Sequence, residues 1–253
     1  MMSKILAGLL FAFTLTGCMA QVTPAKLSAS IAVPKTDEAA VKKHERILQR
    51  GKSGPINLIF LGDSITERWE TAPHIWDAYF GKYQPANFGI GGDRTQHIIW
   101  RIENGALDGL APKVLVFMAG TNNSLDYNAE EILAAHTKIV SIIRAKLPQT
   151  KILLLGVLPR GVHEFVRPGT TITEEQKIVS HGKRMQTISD LNKNMAKLDD
   201  GKTIRFLDIG ARFLGQDGKP PLSIMPDQLH LSPAGYQLWA DAMKPLLDSM
   251  MSQ

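Results

Sequence analysis

Cysteine is nearly absent: Cys18 is the only one in 253 residues, so no disulfide can form within the chain and no cysteine cluster is available for a metal. Aromatic residues make up only 7 %, and none is interleaved with a dense block of Lys or Arg. The formal net charge of +5 therefore reads as a solvated basic surface and not as a nucleic-acid interface. A dinucleotide fingerprint is missing too. In Gly89-Ile-Gly91-Gly92-Asp93-Arg94 an arginine stands where the third glycine of Gly-x-Gly-x-x-Gly would be, and no phosphate loop ending in Lys and Ser/Thr occurs. Neither an internal repeat nor a domain-sized shift in composition divides the chain. Its length suits one sizeable α/β domain.

The amino terminus is set apart. Lys4 supplies a positive start, and Ile5 to Leu15 form an apolar run shorter than the roughly twenty residues a spanning helix needs. The run ends in Leu15-Thr16-Gly17-Cys18, which resembles the lipobox of bacterial lipoproteins. That resemblance implies cleavage before Cys18 and acylation of its thiol and new amino group. The expected division is a signal peptide over 1–17, a lipidated tether over 18–36 and one folded domain over 37–253. Several acyl chains on Cys18 would anchor the protein stably to a membrane. The expected setting is extracytoplasmic, and Met19, in place of the aspartate linked to inner-membrane retention, points to the outer membrane.

Behind the tether, strands and helices alternate. The patterning predicts helices over 37–50, 66–79, 95–104, 129–147, 182–198 and from Ser232-Pro233 onward. Short apolar runs over 56–61, 84–88, 114–118, 151–157 and 203–207 predict five buried strands. Alternation of this kind argues for a parallel sheet covered on both faces. Residues 162–181 show no clear period and are expected to form a loop that shapes a substrate pocket.

Ligands in such sheets bind at the carboxyl ends of the strands. Ser64 follows Gly62-Asp63 at the end of the first strand, and is either the cap of the next helix or a nucleophile. Gly91-Gly92 follows the second strand and Asn122 the third. Asp227 and His230 lie just before the last helix, three residues apart, so the carboxylate can reach the imidazole. Of seven histidines only His230 has an aspartate placed this way in a proline-bounded turn. Acyl transfer by a serine needs a base, an orienting carboxylate and donors for the oxyanion, and these positions can supply all of them.

Gly62-Asp63-Ser64, Gly91-Gly92, Gly120-Thr121-Asn122 and Asp227-x-x-His230 together resemble the four blocks of the SGNH hydrolases, also called GDSL esterases. Further stretches, Asn87 to Asp93, Trp100 to Gly105, Gly120 to Asn123 and Leu158 to Gly161, are similar to the branch holding the catalytic subunits of intracellular platelet-activating-factor acetylhydrolase. The resemblance implies a flavodoxin-like three-layer α/β/α sandwich and no metal or organic cofactor. It implies Ser64 as nucleophile, His230 as general base, Asp227 as its orienting partner, and an oxyanion hole of Ser64 N–H, Gly92 N–H and the Asn122 amide. The expected activity is removal of a short acyl group, acetyl above all, from an extracytoplasmic ester such as an acetylated carbohydrate. A lysophospholipase or platelet-activating-factor-hydrolase-like lipid esterase is the alternative, disfavoured by the lack of a long apolar lid. An inactive glycan-binding lipoprotein is a third reading, opposed by the joint presence of Ser64, Asn122, Asp227 and His230.

Overall fold

The structure, a computed structural model, describes residues 28–162 and 171–252. The expected signal peptide and Cys18 lie outside the described residues. Among those described, no helix is long and apolar enough to cross a membrane.

Five short strands form one parallel sheet: β1 (Leu58–Gly62), β2 (Pro85–Gly89), β3 (Val114–Met118), β4 (Lys151–Leu155) and β5 (Ile204–Leu207), in the order β2-β1-β3-β4-β5. This is the flavodoxin-like order, whose switch point lies between β1 and β3, where the chain turns from one side of the sheet to the other. Successive side chains point to opposite faces, so each strand feeds two cores. Ile59, Leu61, Leu115, Phe117, Ile152 and Leu154 pack on one side, while Leu58, Phe60, Val114, Val116, Leu153 and Leu155 pack on the other. That double burial is why these runs are apolar throughout instead of alternating.

The first face is covered by α1 (Glu38–Lys52), α4 (Thr95–Glu103), α5 (Ala129–Lys146) and α6 (Glu174–Met195). The second is covered by α2 (Ser64–Glu67), α3 (Pro73–Phe80) and α7 (Pro233–Ser252). There an aromatic cluster joins the helix after β1 to the last helix. Trp69 lies 4.5 Å from Tyr236 and 5.3 Å from Trp239 between ring centroids, and Phe60 and Phe80 close the group. Burying a large apolar side chain is worth about 1.5–3 kcal/mol, so this cluster fixes the start of α7 relative to α2. The Tyr236 hydroxyl adds a bond to Ile65 O at 2.8 Å. Sequence positions some 170 apart are thereby held together next to the carboxyl edge of the sheet.

Three elements depart from the sequence patterning. The helix expected over 66–79 is broken: α2 gives way to a tight turn over Arg68–Thr71, and α3 starts afresh at Pro73. Proline disfavours helical geometry in the residue before it, and Ala72 sits outside it at φ −130° and ψ 53°. Helix α6 begins at Glu174 and not at 182, because Thr173 and Gln176 form a reciprocal capping box. The tether expectation also needs amending for residues 28–36. Ala29 is fully buried, its carbonyl accepts from Thr95 Oγ1 at 2.9 Å, and Val33 N–H donates to Gln96 O at 3.2 Å. These residues run as a strap over α4, so packed structure starts before position 37.

Candidate active site

Every residue singled out at a strand end lies at the carboxyl edge of the sheet. The strand β1 stops at Gly62, where a side chain would have no room: a Cβ there would fall 2.1 Å from Thr66 Oγ1 and 2.5 Å from Met118 O. Close approach, not an unusual φ, is what requires glycine. Asp63 follows, and its carboxylate accepts from Ile65 N–H at 3.0 Å as the N-cap of α2. Capping is thus done by Asp63, which leaves the Ser64 hydroxyl to other partners.

That hydroxyl lies 2.9 Å from His230 Nε2. On the other side of the ring, Nδ1 lies 2.6 Å from Asp227 Oδ2. The second Asp227 oxygen accepts from the backbone N–H of Leu229 at 3.0 Å and of His230 at 2.6 Å. Burial works against the Asp227 charge, but the imidazole and these two N–H groups outweigh it and hold the carboxyl down to about 2. The bend that lets one carboxylate serve three donors passes through Gln228, whose φ of 64° is rare for a residue with a side chain. It is pinned by Gly161 N–H donating to Gln228 O at 2.8 Å and by Gln228 N–H donating to Met225 O at 2.9 Å. Gly161 has to be small, since a Cβ there would meet the Gln228 side chain at 1.8 Å.

Across from Ser64, residues Ile90 to Asp93 form a tight turn, with Asp93 N–H donating to Ile90 O at 3.1 Å. Gly92 takes φ +71° at its third position, the pattern of a type II turn. Asn122 comes from the loop after β3. One N–H of its side-chain amide donates to Asp93 O at 2.8 Å, which fixes the amide plane and leaves the second N–H for a ligand. Asn123 has a different job: fully buried, it accepts from Thr95 N–H at 3.1 Å and donates to Gln96 Oε1 at 3.0 Å, fastening the loop to α4.

Beneath the site lies a buried ion pair to which the sequence reading gave no role. Arg101 Nε donates to Asp93 Oδ2 at 2.8 Å and its Nη2 to Gly62 O at 3.3 Å, joining the end of β1 to the turn after β2. A signal was available: an acid in the glycine turn and an arginine two turns into the otherwise apolar α4. Burial, reinforced by the nearby Asp93 charge, pushes the Asp63 carboxyl up to about 7. Folded Asp63 therefore keeps its proton from the ordinary value of 3.8 to about 7, while the unfolded chain has already released it. Stability from this group falls as pH rises through that window. Asp63→Asn keeps the acceptor for Ile65 N–H and has no such proton. Its thermal midpoint is expected to rise relative to wild type as the pH goes from about 4 to about 8; midpoints that track each other across the range would contradict this.

Two other buried or half-buried histidines hold structural positions. His136 is buried under the β3 loop, its Nε2 3.0 Å from Ala119 O, and burial lowers it to about 4. His97 accepts from Arg94 N–H at 3.0 Å at the start of α4 and is likewise held near 4, by burial first and neighbouring cations second. His163 lies outside the described residues.

A model of the GDSL-like Lipase/Acylhydrolase family matches residues 60–238. The chain belongs to this family. It is accordingly a carboxylic ester hydrolase of the GDSL, or SGNH, type, close to the branch expected from the sequence. Platelet-activating factor acetylhydrolase IB subunit alpha1 of Homo sapiens is 33 % identical over 210 residues, covering 83 % of each chain. Among solved structures, a GDSL-like lipase from Bacteroides thetaiotaomicron superposes with a TM-score of 0.65 at 18 % identity, over 81 % of this chain and 97 % of that one. A carbohydrate esterase family 3 member from Talaromyces cellulolyticus superposes at 0.54 with 17 % identity, over 78 % and 98 %. These two likenesses concern the fold.

Proposed function

We propose that this GDSL hydrolase removes short acyl groups, acetyl above all, through an acyl-enzyme on Ser64, with an acetylated carbohydrate outside the cytoplasm as its substrate class. The observation that carries the chemistry is the continuous line from Ser64 Oγ through His230 to Asp227, with hydrogen bonds of 2.9 and 2.6 Å. His230 Nε2 takes the Ser64 proton as Oγ attacks the ester carbonyl. The same proton then goes to the departing alcohol. Water, deprotonated by His230 in turn, attacks the acyl-enzyme and releases the acid. Asp227 stays ionised and steadies the imidazolium that forms in both steps.

The oxyanion would be held by three donors. Ser64 is the first residue of α2, so its N–H has no acceptor within the helix. Gly92 N–H belongs to the central peptide of its turn, which the turn's own hydrogen bond does not use. The spare N–H of Asn122 completes the set. Supporting acetyl as the acyl group is the acetylhydrolase relative. The relationship to the acetylhydrolase also favours a second reading, a lipid ester with a short acyl chain. An extracytoplasmic setting and a lipid anchor on Cys18 remain part of the proposal through Leu15-Thr16-Gly17-Cys18.

The test is a panel of p-nitrophenyl esters from acetyl to dodecanoyl, together with acetylated sugars and an acetylated lysophospholipid analogue. The proposal expects kcat/KM to fall steeply beyond about four acyl carbons and acetate to be released from the sugars. A preference for long chains would overturn the acetyl assignment. Release from the lipid analogue alone would move the substrate class to the second reading.

A further inference from the structure

The strap over 28–36 brings Lys35 to the back of the turn after β2, outside residues 60–238 that match the family. Its ammonium donates to Gly91 O and lies 3.7 Å from the Asp37 carboxylate. The strap cannot easily drift from this place. Ala29 is sealed in the core, Val33 is bonded to α4, and Lys138 Nζ donates to Ser30 O at 3.1 Å. On the far side, Asp37 caps α1 through Ala40 N–H at 2.9 Å.

The Gly91 carbonyl and the Gly92 N–H are the two ends of one peptide group. No cis peptide occurs among the described residues, so the carbonyl and the N–H point in opposite directions. A cation that holds the carbonyl outward therefore aims the N–H inward, toward the pocket beside Ser64. This peptide is also the one that distinguishes the two commonest four-residue turns: types I and II differ by a half-rotation of their central peptide. With glycine at both central positions neither orientation is sterically refused, so the residues of the turn choose weakly between them. The rotated form would turn Gly92 N–H away from the reacting carbonyl.

We propose that Lys35 is a positioning residue that selects the catalytic orientation of the Gly91–Gly92 peptide and strengthens its N–H as an oxyanion donor. The inference rests on reading Gly92 N–H as part of the oxyanion hole. Two effects act together. The hydrogen bond from the ammonium fixes the rotation, and its charge polarises the peptide so that the N–H at the other end becomes a stronger donor. Because the oxyanion exists only in the transition state and the tetrahedral intermediate, the benefit falls on kcat and leaves substrate binding almost alone.

The experiment compares Lys35→Met, Lys35→Arg and Asn122→Ala with the wild-type protein, measuring kcat, KM and thermal midpoint on p-nitrophenyl acetate. Lys35→Met is expected to lose about tenfold in kcat with KM within about twofold, less than the hundredfold or more that follows loss of a whole donor. Lys35→Arg, which keeps charge and donor, is expected to recover most of that loss. Asn122→Ala is expected to lose about 100- to 1,000-fold. Wild-type kcat in Lys35→Met beside an impaired Asn122→Ala would overturn the role of Lys35 and leave the oxyanion hole standing. Wild-type kcat in both would overturn the oxyanion hole itself. A lowered kcat in Lys35→Met with a raised KM, a lowered midpoint and no recovery in Lys35→Arg would mark a merely structural residue and overturn the proposal. Should Lys35→Met fail to fold, Lys35→Gln is read the same way, with an intermediate loss expected because a neutral donor remains.

Discussion

Replacing Ser64 with alanine is expected to lower turnover of p-nitrophenyl acetate by about six decades, the loss seen when a serine hydrolase is deprived of its nucleophile. Such a change removes the atom that would be acylated and leaves only the oxyanion donors and binding to act on a water. Stability should not suffer. The N-cap of α2 is Asp63, whose carboxylate bonds Ile65 N–H, so the serine hydroxyl is not needed to start the helix. Alanine is moreover the best helix former. An unchanged thermal midpoint with turnover about six decades lower is the expected pair of results. Substantial activity in the variant would place the nucleophile elsewhere.

Asp227→Asn should cost less but still about four decades in kcat, for a reason of tautomer and not of charge alone. Asp227 Oδ2 accepts from Nδ1–H of His230, which leaves Nε2 unprotonated and facing Ser64 Oγ. An asparagine amide turned toward the ring donates instead of accepting. The ring then carries its proton on Nε2 and has no lone pair for the serine. The other asparagine atom, the carbonyl oxygen, can still receive Leu229 N–H and His230 N–H, so the turn should hold its shape. Kinetics should show kcat reduced with KM nearly constant. A drop of less than tenfold would mean that the imidazole is oriented by something other than Asp227.

Much of this arrangement could be read from the chain because the fold and the site share one cause. Buried parallel strands must be short and apolar, and they end at the edge where ligands bind, so Gly62-Asp63-Ser64, Gly91-Gly92 and Asn122 announce both strand ends and chemistry. His230 was legible because Asp227 stands three residues before it in a turn closed by Pro226 and Pro233. Ranges were less well read where stability is local. The first turns of α6 carry the neighbouring Ile178 and Val179, both exposed, so no 3.6-residue apolar period betrays them; the signal was the Thr173–Gln176 capping box. Pro73 did announce the break before α3, but the apolar face formed by Trp69, Ile75 and Trp76 suggested a continuous helix.

Contacts across long stretches of chain were the least visible. Nothing near Lys35 in the sequence indicates that it meets Gly91, 56 residues away. Proline and small residues made that region resemble a tether, although Ala29 is buried and the strap is bonded to α4. Gly62 shows the same limit: what requires it is the close approach of the Thr66 side chain and the Met118 carbonyl, neither of which a local pattern announces.

The central claim is that Ser64 is the nucleophile of a hydrogen-bonded Ser64–His230–Asp227 system. The most direct measurement is reaction of the intact protein with a fluorophosphonate, followed by mass spectrometry to locate the adduct. One phosphonyl group per chain on Ser64, formed far more slowly in His230→Ala, is the predicted result. An adduct on another residue, or none under conditions where the ester is hydrolysed, would contradict the account.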